Sequence, residues 1–217
     1  MPARRHLFPL LALLLPTWSA TAHRLDEYLQ TTFIAVGTNQ IALGLSLTPG
    51  VDVAQQIIPL IDENRDGSLS PQETAGYAER VRTNLSLTVD SQLQPLVLTG
   101  SQFPGVAEMK DGVGAITLQF TTITTNFSAG THRLRFANGH QTNISVYLVN
   151  ALVPESKAIM IGRQVRDFRQ TTVEFEFTVA PGPKTAGLST NSPPVGSVSA
   201  KPKLKSASPP YNVTPSP

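Results

Sequence analysis

Between Tyr28 and Val179 most of the chain alternates apolar and polar residues with a period of two, the pattern of strands buried on one face. Tyr28 to Val36 and Gln40 to Leu47 read as two strands joined by a turn at Gly37-Thr38-Asn39. Leu85 to Val89, Leu93 to Leu98, Gly114 to Ile123, His132 to Phe136, Ile144 to Val153, Ala158 to Arg163 and Thr171 to Val179 continue the series. Two segments break the rhythm. Val51 to Ile61 places Ala54, Ile57, Ile58 and Ile61 at helical spacing, and Ala75, Ala78, Val81 and Leu85, with Tyr77 alongside, form a second helical stripe. Gln102 to Lys110 reads as a loop with at most one helical turn. Short strands without alternating helices predict a mostly β fold, an immunoglobulin-like β-sandwich with a helix–loop–helix inserted at about 51–85.

The loop between the two helices carries the sharpest chemistry. Asp62 to Glu73 reads D-E-N-R-D-G-S-L-S-P-Q-E and matches D-x-[DN]-x-[DN]-G-x5-E, the calcium loop of an EF-hand, at each ligand position. A hard divalent cation takes several oxygens, and alternate positions of a wrapped chain supply them. Asp62, Asn64 and Asp66 offer side-chain oxygens, Ser68 its backbone carbonyl, Ser70 a direct or water-mediated contact, and Glu73 both carboxylate oxygens. Gly67 falls where the chain must turn sharply, and Leu69 is the apolar residue that anchors the loop. Ser70, Pro71 and Glu73 spell a helix start: a cap, proline in the first position and a capping box. Thr74 stands where most such loops place a large apolar residue, which affects packing but removes no ligand. Carboxylates at positions one, five and twelve repel one another without a cation, so Ca²⁺ is the expected occupant. Mg²⁺, which prefers compact octahedral sites with retained water, fits less well. A lone helix–loop–helix seldom buries enough surface, so the β body or a second copy is expected to cover it.

The ends alter how the composition is read. Arg4 and Arg5, the apolar run Leu7 to Pro16 and Ala20-Thr21-Ala22 have the order of an export signal over 1–22, too short in its apolar part to span a bilayer. No other apolar stretch approaches spanning length, so no transmembrane segment is expected in the mature chain, which would start at His23 and be periplasmic or extracellular. There is no cysteine, so stability must come from the core and a metal rather than disulfides. Residues 181–217 hold nine of the 18 prolines and few large apolar residues, the composition of a disordered tail. The chain carries 17 Lys and Arg against 15 Asp and Glu, but six of those cations are Arg4, Arg5, Lys184, Lys201, Lys203 and Lys205. The body between them is acidic, and no basic patch with interleaved aromatics points to nucleic acid.

The start His23-Arg24-Leu25-Asp26-Glu27-Tyr28-Leu29-Gln30 resembles a family of exported bacterial domains with one EF-hand. So do Leu47-Thr48-Pro49-Gly50-Val51, Pro59-Leu60-Ile61-Asp62 and Ser145-Val146-Tyr147-Leu148-Val149-Asn150-Ala151. The likeness covers most of His23 to Val179. Members often precede a multi-span membrane region similar to hydrogenase- or urease-accessory nickel permeases, where this chain has a Pro/Ser tail. The resemblance implies export and calcium; beside the calcium ion, an envelope or membrane protein is the expected partner.

His23 suggests an alternative. A free N-terminal amine and its imidazole can chelate copper or nickel, and His132 and His140 are available as further ligands; otherwise these two are surface histidines in turns. Enzymatic signatures are absent from the sequence: no cysteine nucleophile, G-x-S-x-G, H-E-x-x-H or phosphate-cradling glycine loop. Glu174 and Glu176 alternate with Phe175 and Phe177, as on the wet face of a strand. The sequence therefore predicts an exported, non-enzymatic, calcium-binding accessory module.

Overall fold

The computed structural model describes residues 26–123 and 127–181. The expected export signal over 1–22, His23 and all of the expected tail beyond Pro181 lie outside the described residues. The protein is mostly β, with two sheets. β1 (Tyr28–Val36) and β2 (Ile41–Pro49) pair antiparallel from Tyr28↔Pro49 to Val36↔Ile41. Then come α1 (Val51–Ile61), α2 (Pro71–Thr83), β3 (Leu85–Val89), β4 (Gln92–Leu93), β5 (Leu96–Gln102) and α3 (Val106–Lys110). β6 (Ile116–Thr122), β7 (Gly130–Asn138), β8 (Ser145–Ala151), β9 (Ile159–Ile161), β10 (Val165–Arg166) and β11 (Thr172–Val179) follow.

One sheet has the order β5-β6-β2-β1-β8. Its β1–β8 pairing is parallel, unlike the other pairs in that sheet. The other sheet runs β10-β11-β7-β3-β4, with β9 also pairing β11. Strands of both sheets contribute to one hydrophobic core: Ile34, Leu43, Leu45 and Phe120 from the first, Leu87, Phe136, Phe175 and Phe177 from the second. The alternation dictates this, since burying every second side chain removes apolar surface from water while the other face stays wet. Glu174 and Glu176 point outward toward Arg133, at 3.4 and 3.1 Å, while Phe175 and Phe177 are buried.

Several strand boundaries differ from the sequence pattern, among them β2, which runs to Pro49, and β7, which spans Gly130–Asn138. The run Leu93 to Leu98 divides into β4 and β5, because Asp90 and Ser91 both have positive φ and fold β3 tightly onto the two-residue β4. β10 is too short to show a period.

The helical insertion leaves β2 and returns at β3. α1 buries Val53, Ala54, Ile57, Ile58 and Ile61, matching the predicted stripe. α2 buries Tyr77, Ala78 and Val81, whereas Ala75 is exposed and Leu85 already belongs to β3. The inward face therefore runs through Tyr77 rather than Ala75. α1 packs on α3 and β2, and α2 on β3 and β5. The β body, through α3 with its buried Val106 and Met109, thus covers a helix pair that would otherwise stand alone.

Candidate metal centre

The loop from Asp62 to Ser70 is folded by its own side chains. Asp62, nearly fully buried, accepts hydrogen bonds from Asp66 N–H (3.2 Å) and Gly67 N–H (3.0 Å), one to each carboxylate oxygen. Asn64 Oδ1 accepts from Asp66 N–H at 2.9 Å, and Asp66 Oδ1 accepts from Ser68 N–H at 2.8 Å. Asn64 Nδ2 donates to Asp66 Oδ2 at 3.0 Å. Charged acceptors on backbone amides make strong hydrogen bonds, and here they offset the repulsion between neighbouring carboxylates.

Such a wrap needs left-handed backbone. Arg65 has φ +62° and Gly67 φ +80°. A Cβ on Gly67 would meet nothing within 4 Å, so the backbone conformation, not lack of room, calls for glycine there. Leu69 packs against the core and anchors the loop from below.

α2 begins as the sequence predicts. Ser70 Oγ accepts from Glu73 N–H, Pro71 opens the helix, and Glu73 completes the capping box. Glu73 Oε2 accepts from Ser70 N–H (2.9 Å) and Ser70 Oγ–H (2.7 Å), while Oε1 accepts from Asn64 N–H at 3.3 Å. The carboxylate therefore closes the loop by joining its third, ninth and twelfth positions. Those bonds, first the Ser70 hydroxyl, then the amides of Ser70 and Asn64, hold the Glu73 carboxyl below the ordinary carboxylate range. Thr74 Oγ1 donates to the carbonyls of Ser70 and Pro71, so the unusual residue at that position ties down the first turn instead of packing a large apolar group. Arg80 reaches back from α2 to the Leu60 carbonyl (3.1 Å) and Glu63 (3.3 Å), holding the end of α1.

Among the described residues, no three His, Cys, Asp or Glu side chains form a group able to hold a metal ion by themselves. Asp62, Asp66 and Glu73 are therefore not gathered into such a group. Were the loop to hold a cation, these three would supply charge, and Asn64, the Ser68 carbonyl and Ser70 neutral oxygens. Six oxygen donors, with no nitrogen or sulfur, suit a hard cation of the calcium type and not a soft transition metal.

Neither histidine is at the surface: His132 lies on a strand, and His140, though in the turn after β7, is buried. His132 lies on β7 at 9% exposure, with Nδ1 bonded to Asp90 Oδ2 at 2.7 Å and Nε2 to the Ser128 carbonyl at 2.9 Å. Both ring nitrogens face acceptors, and the Ser128 carbonyl first, then Asp90, raise its pKa. His140 follows the other end of the strand, on the order of 25 Å away along extended chain. The structure does not bring these two together on one metal.

His140, at 1% exposure, is the centre of a polar network that sequence reasoning missed. Its Nε2 pairs with Tyr77 Oη at 3.0 Å, and Tyr77 Oη pairs with Tyr28 Oη at 2.8 Å. The His140 carbonyl accepts from Gln30 Nε2 (2.8 Å) and Tyr147 Oη–H (2.6 Å), and its N–H donates to Asn138 Oδ1 (2.9 Å). Gln30 also accepts from Asn138 Nδ2 and donates to Ser145 Oγ. Burial first, then the Arg80 charge, lowers the His140 pKa to about 4, and burial pushes Tyr77 up to about 12. His140 thus joins α2, through its neutral imidazole, to β1, β7 and β8, through its backbone carbonyl and N–H. The signal was present in the sequence: Gln30 and Asn138 fall in phase with the inward residues Tyr28 and Phe136.

No protein-family model, no curated protein and no solved structure matches this chain. Among the described residues, no helix is long and apolar enough to cross a membrane.

Proposed function

We propose that Asp62–Glu73 is a calcium site of EF-hand type, and that the protein is an exported, non-enzymatic accessory module stabilised by that ion. What supports this reading is the hydrogen-bonded loop in which Asp62, Asn64 and Asp66 accept from the amides of Asp66, Gly67 and Ser68, with left-handed Gly67 at its turn and Glu73 closing it from α2. Asp62, Asn64, Asp66, the Ser68 carbonyl, Ser70 and Glu73 would hold the ion. Bound calcium supplies positive charge that offsets the carboxylates and braces α1 against α2. The leader-like start supports export, the resemblance of the start and of β8 to exported domains supports an envelope or membrane protein as partner, and the two sheets suit an immunoglobulin-like sandwich.

Thermal unfolding in EDTA and in 10 mM calcium tests the reading. With affinity of about 10⁻⁴ to 10⁻³ M, as in extracellular modules, 10 mM ion stabilises by roughly 1.4–2.7 kcal/mol. That corresponds to a Tm rise of several degrees, which Glu73→Gln should abolish. Identical melting curves with and without the ion would end the proposal.

A further inference from the structure

The sheet β5-β6-β2-β1-β8 contains no charged residue in any of its five strands. The other sheet differs sharply: Arg133, Glu174 and Glu176 form ion pairs on its outer face. Half of each strand in the charge-free sheet faces the core, so the remaining half forms an uncharged outer face. That face exposes Phe33 (43%), Leu148 (39%), Val146 (36%) and Val97 (42%), with Leu152 (43%) at its margin. A surface of aliphatic and aromatic groups interspersed with Thr, Ser, Gln and Asn, with the Arg166 guanidinium on Asn150 Oδ1 (2.6 Å) at its β8 margin, is unusual for a monomer's solvent face.

We propose that this face is the interface of a homodimer, with a second copy of the chain packed sheet to sheet across a two-fold axis. An isologous contact sets each patch against itself, so any charge near the axis meets its own copy. A face without charge is what such a contact requires.

Shape points the same way. Phe33 stands opposite Gly44 on β2, and Ala35 opposite Ala42. These small residues line a hollow of about 450 Å³ beside Phe33, bounded also by Thr99, Gln119, Thr121 and Leu152. One face thus carries both a projecting ring and a recess to receive its two-fold mate.

The area suffices. Five strands about 4.8 Å apart and about seven residues long at 3.3 Å each cover roughly 550 Å² per copy in projection. Two copies bury about 1,100 Å², above the roughly 1,000 Å² that a biological interface needs, before side-chain relief is added.

Edge-to-edge pairing through the C-terminal end of β8 is obstructed, since Gln164 occupies the N–H and carbonyl of Ala151, and Arg166 the carbonyl of Val149.

Sedimentation equilibrium of the full chain, from about 1 to 200 µM, tests the proposal. The expected result is a dimer that Phe33→Glu and, independently, Leu148→Glu convert to monomer with unchanged circular dichroism, while Thr131→Glu on the other sheet leaves it intact. Both substituted side chains are already part-exposed, so either variant alone suffices if the other fails to fold. A wild-type monomer throughout the range overturns the proposal. So does a dimer that survives both substitutions, or a monomer that dimerises only when residues 183–217 are removed, which would assign the face to the chain's own tail.

Discussion

Acidification should unfasten this domain at one imidazole. His140 is buried and neutral, its Nε2 engaged by the Tyr77 hydroxyl, with its pKa lowered from 6.5 to about 4. An unfolded chain takes up the proton near pH 6.5, whereas the folded one resists until about pH 4. The unfolded state therefore binds more protons between these values, and stability falls as pH falls through that window. Each pH unit is worth about 1.4 kcal/mol, so the loss reaches about 2 kcal/mol at pH 5 and about 3 kcal/mol at pH 4. Against a total of about 5–15 kcal/mol for a small domain, that is a large fraction. Urea unfolding in EDTA at pH 7, 6, 5 and 4.5, on wild type and His140→Gln, isolates the contribution because the carboxylates are common to both proteins. Wild type should lose about 2 kcal/mol more than the variant between pH 7 and 5. Parallel stability curves, or a nuclear magnetic resonance titration placing the His140 imidazole near 6.5, would refute the reasoning.

Other perturbations report on separate parts of the molecule. Ser70→Ala removes the cap of α2 and the strongest hydrogen bond to Glu73. It should cost about 1 kcal/mol in calcium-free urea unfolding and raise the Glu73 pKa, readable by carboxyl resonance titration. His132 has a raised pKa, so its bonds to the Ser128 carbonyl and then to Asp90 add stability below pH 6.5 that fades as pH rises through the raised value. Asp90→Asn should reduce that alkaline loss, and an unchanged profile would count against the ion pair. Gly114→Ala should destabilise by about 1–3 kcal/mol, because the added Cβ would lie 2.5 Å from Pro104 Cβ; an unchanged urea midpoint would show that this contact yields easily.

The helix–loop–helix was almost wholly legible in the sequence. α1 keeps its predicted bounds, and Ser70, Pro71 and Glu73 start α2 as read, because capping and turn chemistry join residues no more than a few positions apart. Gly67 likewise marks its own left-handed turn. Most strands were legible too, since the alternation of β1 or β11 says which side chains face inward. Alternation does not say which strand lies alongside. That β8 pairs parallel to β1, across more than a hundred residues, depends on matching two buried faces in space. The same is true of the network at His140, where Gln30, Tyr77 and Asn138 converge from three separate elements, and of the charge-free sheet. Each of its strands lacks charge in the sequence, but only the tertiary arrangement places all five side by side. Local hydrogen bonding and period fixed the elements and the loop; burial of shared surface, a property of the whole chain, chose their neighbours.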